Sequence, residues 1–133
     1  MPPEPGNRAV AEDWLRYAAS NLMLARQPKP AGVLWGHLCF NAQQAAEQAV
    51  KATLALRGID FPRTHLIGTL LELARRGDMQ VPDELQLADD LSGYAVTTRY
   101  PGETEAIRED EYRRAVQLAE RVVRWAESVV RGA

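Results

Sequence analysis

Thiol and imidazole groups are scarce in this sequence. Among its 133 residues, Cys39 is the single cysteine, and His37 and His65 are the two histidines. An intramolecular disulfide is therefore excluded, and a zinc site built from cysteine and histidine would lack ligands. The glycines form neither a P-loop nor a dinucleotide-binding fingerprint. We therefore predict no bound metal and no cofactor.

The chain also lacks a strong excess of charge and any long apolar run. The chain has 16 basic and 18 acidic residues, which gives a formal net charge of -2. Lys29 and Lys51 are the two lysines. Such a chain has no overall field that attracts phosphate, so nucleic-acid binding would need a local basic patch. The apolar runs are too short to span a membrane, and residues 1–7 do not resemble a signal peptide. We therefore predict a cytoplasmic protein with no membrane contact.

Strand-like alternation is missing as well, whereas apolar residues recur at three- and four-residue steps along most of the chain. This pattern predicts an all-α domain over residues 9–131, preceded by a disordered lead over residues 1–8. Five helices with short connections favour an antiparallel up-down bundle. Proline, glycine and capping residues place the helices at about 9–26, 33–57, 65–76, 82–99 and 109–130.

The second predicted helix is the longest and the most apolar. Its main stripe is rich in alanine, which allows a neighbouring helix to approach closely: Leu38, Ala42, Ala45, Ala49, Ala52 and Leu56. The helix has more apolar surface than one small bundle needs, so we predict a homodimer. Leu66, Leu70, Leu73 and Ala74 are the predicted core face of the third helix, and the predicted apolar face of the fourth is Leu87, Leu91, Tyr94 and Ala95.

Polar residues on the second helix form one candidate site. Gln44, Glu47 and Lys51 lie along one side at helical spacing, with Asn41 one turn earlier, and Glu47 and Lys51 form an i,i+4 pair in the favourable order. Two interpretations are open. The residues hold the bundle in register as a polar seam, or they contact a ligand.

A second candidate lies at Arg99-Tyr100, just before Pro101 and Gly102. An arginine at a helix end can bind a phosphate or carboxylate with two parallel hydrogen bonds. Alternatively, Arg99 caps the carbonyls of its own helix. His65 follows Thr64 at a predicted helix start, where it can act as an acid or base or simply pack and hydrogen-bond locally.

Four segments resemble the HEPN domain family. They are DWLRYA at residues 13–18, CFNAQQAAEQAVKA at 39–52, THL at 64–66 and RYP at 99–101. The resemblance extends over nearly the whole chain, from about residue 9 to 130. It implies an all-α, antiparallel up-down four-helix bundle with an additional short helix, usually dimeric. It also implies similarity to the substrate-binding subunits that accompany small nucleotidyltransferases. It also implies contact with a nucleotide or RNA.

Many proteins of that family are toxins or ribonucleases. The resemblance implies that such members carry an arginine followed by a histidine, with four to six residues between the two. Arg99 matches the arginine, but the corresponding positions hold Thr104, Glu105 and Ala106. A metal-independent ribonuclease needs a general acid–base near the arginine. The departure from the motif argues against ribonuclease activity.

The sequence therefore favours a non-catalytic HEPN protein that dimerises and binds a nucleotide or substrate beside a minimal nucleotidyltransferase, as in some toxin–antitoxin pairs. Arg99, Tyr100, Gln44 and Lys51 are the predicted anion-binding residues, and Asn41, Glu47 and His65 are secondary candidates. Two alternatives stay open: a ribonuclease that uses a displaced histidine, His65, and an interaction module without a nucleotide ligand.

Overall fold

A computed structural model describes residues 4–95 and 107–132 of the chain. Within those two ranges there are four α-helices, one 3₁₀ helix and no strand. The elements are α1 (Pro5–Arg26), α2 (Trp35–Leu56), α3 (Ile67–Arg76), the 3₁₀ helix (Asp83–Ala95) and α4 (Glu109–Arg131). The predicted all-α class is confirmed. None of the described helices combines the length and the apolar character needed to cross a membrane.

The first helix begins earlier than predicted. α1 starts at Pro5, and the Arg8 amide donates to the Glu4 carbonyl at 3.1 Å, so residues 5–8 of the predicted disordered lead are helical. Proline is well placed there, because the amides of a first helical turn have no partner inside the helix. The proline-rich connection after Arg26 ends α1 where the sequence predicted.

Helix α2 lies at the centre of the molecule and contacts all four other helical elements. Its alanine stripe is fully buried at Ala42, Ala45, Ala49 and Ala52. No large hydrophobic side chain of α2 is exposed. Among the described residues, the exposed ones are Val10, Tyr17, Met23, Leu24, Leu34, Leu66 and Leu87. The apolar surface on which the homodimer was predicted is therefore used inside the single chain.

Helix α3 starts two positions later than predicted, which moves its core face. Thr64 does not cap the helix; its hydroxyl accepts a hydrogen bond from the Leu66 amide at 3.1 Å in the turn before it. The expected burial of Leu66 is wrong, because this residue flanks the helix and is exposed. Ile67 occupies the core position instead, together with Leu70, Leu71 and Ala74.

The fourth element is a 3₁₀ helix rather than the predicted α-helix over 82–99, and its described part ends at Ala95. A 3₁₀ helix has three residues per turn, so side chains three apart lie above one another. Leu85, Ala88 and Leu91 have that spacing and are buried, whereas Leu87 falls off this face and is exposed. The predicted α-helical face that contained Leu87 is therefore wrong.

Several contacts tie the last helix to distant parts of the chain, and two of them lie towards its end. The Trp125 indole Nε1 donates to the Gln80 carbonyl at 3.0 Å, and an Arg8 guanidinium nitrogen donates to the Val130 carbonyl at 2.9 Å. The first contact holds the connection before the 3₁₀ helix against α4. The second joins the beginning of α1 to the end of α4.

Candidate functional site

The buried polar cluster on α2 centres on the carboxylate of Glu47. Gln43 Nε2 and Lys51 Nζ, one turn to either side, donate to Oε1 and Oε2 respectively, each at 2.8 Å. Only 5% of the Glu47 side chain and 11% of the Lys51 side chain are exposed. The i,i+4 pair predicted from the sequence is confirmed as a contact, but it lies inside the bundle rather than on a solvated side.

Two aromatic rings enclose the lysine. The Lys51 ammonium lies 5.6 Å from the ring centre of Trp14 on α1 and 5.7 Å from that of Phe61, in the connection before α3. The two rings meet edge to face, with their centres 6.3 Å apart. Ring faces attract a cation, most strongly where water is excluded. Glu47, Trp14 and Phe61 thus surround the ammonium.

Glu47 also receives a hydrogen bond from outside α2. His65 Nδ1 lies 2.8 Å from Oε1 of the carboxylate. Burial alone would raise the pKa of Glu47, but hydrogen bonds from Lys51, Gln43 and His65 outweigh it and hold the pKa below its usual value. An ionised carboxylate can only accept, so Nδ1 carries the proton of this contact.

His65 presents the solvent-facing side of the cluster. Its side chain is 65% exposed, although its Nδ1 is fixed to a carboxylate that is 5% exposed. In a neutral imidazole that donates through Nδ1, the lone pair resides on Nε2. The arrangement therefore offers one oriented imidazole nitrogen that can accept a proton or, once protonated, donate to an anion.

Amide side chains continue from this cluster towards α1. Gln44 Nε2 donates to Gln43 Oε1 at 2.7 Å, which links Gln44 to the Glu47 carboxylate. Asn41 Nδ2 donates to Asn21 Oδ1 of α1 at 3.2 Å, and the amide groups of Asn21 and Gln48 lie 2.8 Å apart. The structure thus brings Gln44, Glu47, Lys51 and His65 into one network and places Asn41 in a neighbouring one.

Sequence reasoning missed three of the participants. Trp14 and Asn21 come from α1 and Phe61 from the connection before α3, and only Trp14 and Asn21 share a detectable signal. They are seven residues apart, and so lie on the same flank of α1. No local pattern distinguishes Phe61 from any other aromatic residue in a turn.

Arg99 and Tyr100 fall outside the described residues. The described residues on either side of their segment both lie near the start of α2. Tyr94 is hydrogen-bonded to Cys39, and the Ile107 side chain lies 3.3 Å from where a Cβ on Gly36 would stand. The described residues Tyr94 and Ile107 therefore both lie beside the first two turns of α2.

Cys39 is fully buried at this end of the bundle. Burial and the charge of Glu111 raise the pKa of its thiol to about 11, against a smaller opposing effect of the hydrogen bond with Tyr94. The pKa of Tyr94 is raised too, mainly by burial and then by the nearby Cys39 and Glu111. Both groups are neutral at physiological pH, so neither supplies a nucleophile there.

A separate groove of about 550 Å³ lies between α3 and the 3₁₀ helix. On its wall the Gly68 amide donates to Asp89 Oδ1 at 2.8 Å, so the 3₁₀ helix supplies an acceptor for the start of α3. The lining includes Glu72, Arg76 and Asp89, with Arg76 3.5 Å from Glu72. Charges of both signs line this groove, and it does not contain the Glu47 cluster.

Comparison with known proteins gave one family and two solved structures. The model of the HEPN domain matches residues 11–129. A crystal structure of a protein from Thermus thermophilus is similar with 32% identity and a TM-score of 0.73. An archaeal protein described as a HEPN homologue is similar with 28% identity and a TM-score of 0.71. Each match covers 90% of this chain and 97% of the other. Among curated proteins, none matches the sequence.

Proposed function

The chain belongs to the HEPN domain family, and we propose that it is a non-catalytic member that binds a nucleotide or RNA beside the Glu47 cluster. In this proposal it forms a homodimer and serves as the partner of a minimal nucleotidyltransferase, as in a toxin–antitoxin pair. The observation that carries the proposal is the exposed imidazole of His65 held on a buried, charged network.

The energetics of the cluster favour a functional role. A buried ion pair is often no more stabilising than apolar side chains of similar volume, because both charges lose hydration. Apart from Gln43 and Thr53, the other buried residues of α2 are apolar, so replacing Glu47 and Lys51 by apolar residues would suit the fold. What the pair adds is an anchor that orients His65 at the surface. Buried carboxylates with a shifted pKa, such as Glu47, are common at functional sites.

Arg99 and Tyr100 supply the anion-binding part of the proposed site. The guanidinium fork suits a phosphate, and an aromatic ring can stack on a base. The positions of Tyr94 and Ile107 beside the start of α2 support this assignment. Gln44 follows Cys39 by five residues, so it lies only about 7.5 Å further along the axis of the same helix, although on another side of it. In this arrangement Gln44 contacts the ligand directly, and Lys51 acts through Glu47 and His65.

Calorimetry with ATP, AMP and a short RNA tests the binding proposal. We expect wild-type protein to bind at least one of them weakly, and Arg99→Ala to abolish binding without loss of helicity. Arg99→Lys should recover only part of the affinity, because lysine keeps the charge but loses the fork. Arg124→Ala, on the exposed side of α4, is the matched control and should bind normally. No heat of binding from the wild-type protein would refute the site.

One observation favours a second candidate function, ribonuclease activity. The contact between His65 Nδ1 and Glu47 orients an imidazole as catalytic carboxylate–histidine pairs do. If the chain cleaves RNA through this pair, His65→Ala should abolish cleavage and Glu47→Gln should reduce it. Cleavage that persists in both variants would exclude the pair. Cleavage that also survives Arg99→Ala would indicate another active centre or a contaminating nuclease.

The proposed partnership has its own test. A gene for a small nucleotidyltransferase next to this one would support the pairing, and co-expression should then yield a complex that survives size-exclusion chromatography. If the two proteins elute separately at micromolar concentration, the partnership is wrong even where nucleotide binding is observed.

A further inference from the structure

Exposed apolar side chains line one flank of α1. Val10, Tyr17 and Leu24 are spaced by seven residues and are between 45% and 53% exposed. Side chains seven apart on a helix lie almost directly above one another. Asn21 is on the same flank and reaches Asn41 and Gln48 of α2. This flank of α1 therefore borders the outer side of α2.

Helix α2 adds a narrow strip of uncharged polar side chains. Fourteen of its 22 residues are buried, and the polar ones that reach the surface are His37, Asn41, Gln44 and Gln48, beside the half-buried Phe40. These positions follow one line along the helix at steps of three and four residues. We call the combined surface, formed by the α1 flank and the α2 strip, the α1–α2 face.

Formal charge is absent from the α1–α2 face except at its edge. There Arg16 and Asp13 lie 3.2 Å apart and neutralise each other, and the Arg16 guanidinium stands 5.9 Å from the Tyr17 ring centre. The exposed side of α4, by contrast, carries many ionic groups: Arg113, Arg114, Glu120, Arg121, Arg124, Glu127 and Arg131. A phosphate backbone would find no cation in the centre of the α1–α2 face.

We infer that a second copy of this chain docks on the α1–α2 face. This inference rests on the homodimer of the proposed function. A two-fold interface brings the same patch of both copies together, so the patch must be complementary to itself. Charged groups of one sign would repel their symmetry mates. Amides both donate and accept, and apolar groups attract their own kind, so this face satisfies the requirement.

The position of Gln44 gives the docking a functional consequence. Gln44 belongs to the α1–α2 face and is hydrogen-bonded through Gln43 to the Glu47 network that holds His65. A second copy on this face therefore borders the proposed ligand site. The dimer places two such sites beside one interface, so each copy can contribute contacts to a ligand held by the other.

Sedimentation equilibrium on matched lysine variants tests the interface. Leu24→Lys puts a charge on the α1–α2 face, whereas Met23→Lys puts the same charge about 100° further around the helix, at a residue that is more exposed still. A substitution on the α1–α2 face enters a two-fold interface twice. We expect Leu24→Lys to raise the dimer dissociation constant at least about 30-fold, the effect of losing one strong contact residue. Met23→Lys should leave it unchanged.

Tyr17→Glu gives a second, independent test on the same flank and should also dissociate the dimer. Circular dichroism and melting must show that each variant is folded. A monomeric wild-type protein at about 100 μM, a concentration at which weak but specific dimers still form, would overturn both the homodimer and this interface. A dimer that persists in Leu24→Lys and Tyr17→Glu, or that Met23→Lys dissociates equally, would overturn the interface alone. Calorimetric binding of ATP, AMP or RNA is measured separately, so its loss does not bear on this result.

Discussion

At the scale of single residues, Glu47 couples ionisation to folding. Its carboxylate accepts hydrogen bonds from Gln43, Lys51 and His65, which together hold its pKa below the usual value despite burial. A group whose pKa is lowered by folding stabilises the folded state above its unfolded pKa. That stabilisation is lost as the pH falls through the folded pKa. Acid below about pH 4.5, the ordinary value for glutamate, should therefore weaken the bundle.

Glu47→Gln should show how much the buried charge pair matters. The amide cannot neutralise the Lys51 ammonium, which then stays buried against Trp14 and Phe61 without a counter-ion. Removing one partner of a buried pair costs about 3–5 kcal/mol. We expect a loss of that order in the free energy of unfolding in urea, and a flatter response of stability to acid.

Glu109→Gln is the matched control for that experiment. Glu109 forms an i,i+4 pair with Arg113 at 2.8 Å, the same spacing as Glu47 and Lys51, but both side chains are exposed. Exposed pairs contribute about 0–1 kcal/mol. Equal destabilisation by the two substitutions would show that the burial of Glu47 is energetically unimportant.

The sequence predicts some of these residue contacts and not others. Helical spacing puts Gln44, Glu47 and Lys51 on one side of α2, since it depends only on 3.6 residues per turn. The hydrogen bond between His65 and Glu47 depends on the path of the connection that follows α2. The position of Lys51 between Trp14 and Phe61 depends on three elements at once. Contacts of that kind follow from tertiary packing, which local periodicity does not encode.

At the scale of helices, the alanine stripe of α2 determines how closely its neighbours approach. Ala45 and Ala49 are fully buried, and tightly packed interiors accommodate added methylenes poorly. We expect Ala45→Leu and Ala49→Leu each to lower the free energy of unfolding by about 1–3 kcal/mol. Ala19→Leu, on the exposed side of α1, should change it by less than about 0.5 kcal/mol. Unchanged melting of both buried variants would show that the stripe is loosely packed.

The 3₁₀ helix shows why element type is harder to predict than element position. The segment after Val81 contains apolar residues at both three- and four-residue steps, so an α-helix through Leu87 and Leu91 was a consistent interpretation. The two geometries differ in which leucine they bury. Packing against α2, α3 and α4 selects the face with Leu85, Ala88 and Leu91. Competing neighbours therefore decide between patterns that the sequence leaves equivalent.

At the scale of the whole molecule, the all-α bundle was predictable because its signals recur along the chain. Helical periodicity, proline at the connections and glycine after helix ends each repeat several times, so an error in one helix does not alter the fold class. The surface available to a second copy was not predictable in this way. It depends on which apolar residues the bundle leaves exposed, and in the described part of the chain four of the seven large ones lie on α1 and none on α2.

Salt should separate the two binding events proposed for the molecule. Phosphate binding through Arg99 is electrostatic and is screened over about 10 Å at 0.1 M ionic strength. The α1–α2 face is uncharged at its centre, so dimerisation should respond little to salt. Raising sodium chloride should therefore weaken nucleotide binding in calorimetry while the sedimentation-derived dimer constant stays nearly unchanged. A dimer that dissociates steeply with salt would require charged contacts at its interface.

The burial of Cys39 has a consequence for the dynamics of the bundle. Its thiol is inaccessible in the closed protein and protonated far above neutral pH, so it reacts with a thiol reagent only when the first turns of α2 separate from their neighbours. Because the sequence contains no second cysteine, the rate at which a thiol reagent labels the unaltered chain measures the rate or extent of that local opening. Cys39 is thus a native probe of local unfolding at the beginning of α2, and no engineered cysteine is needed.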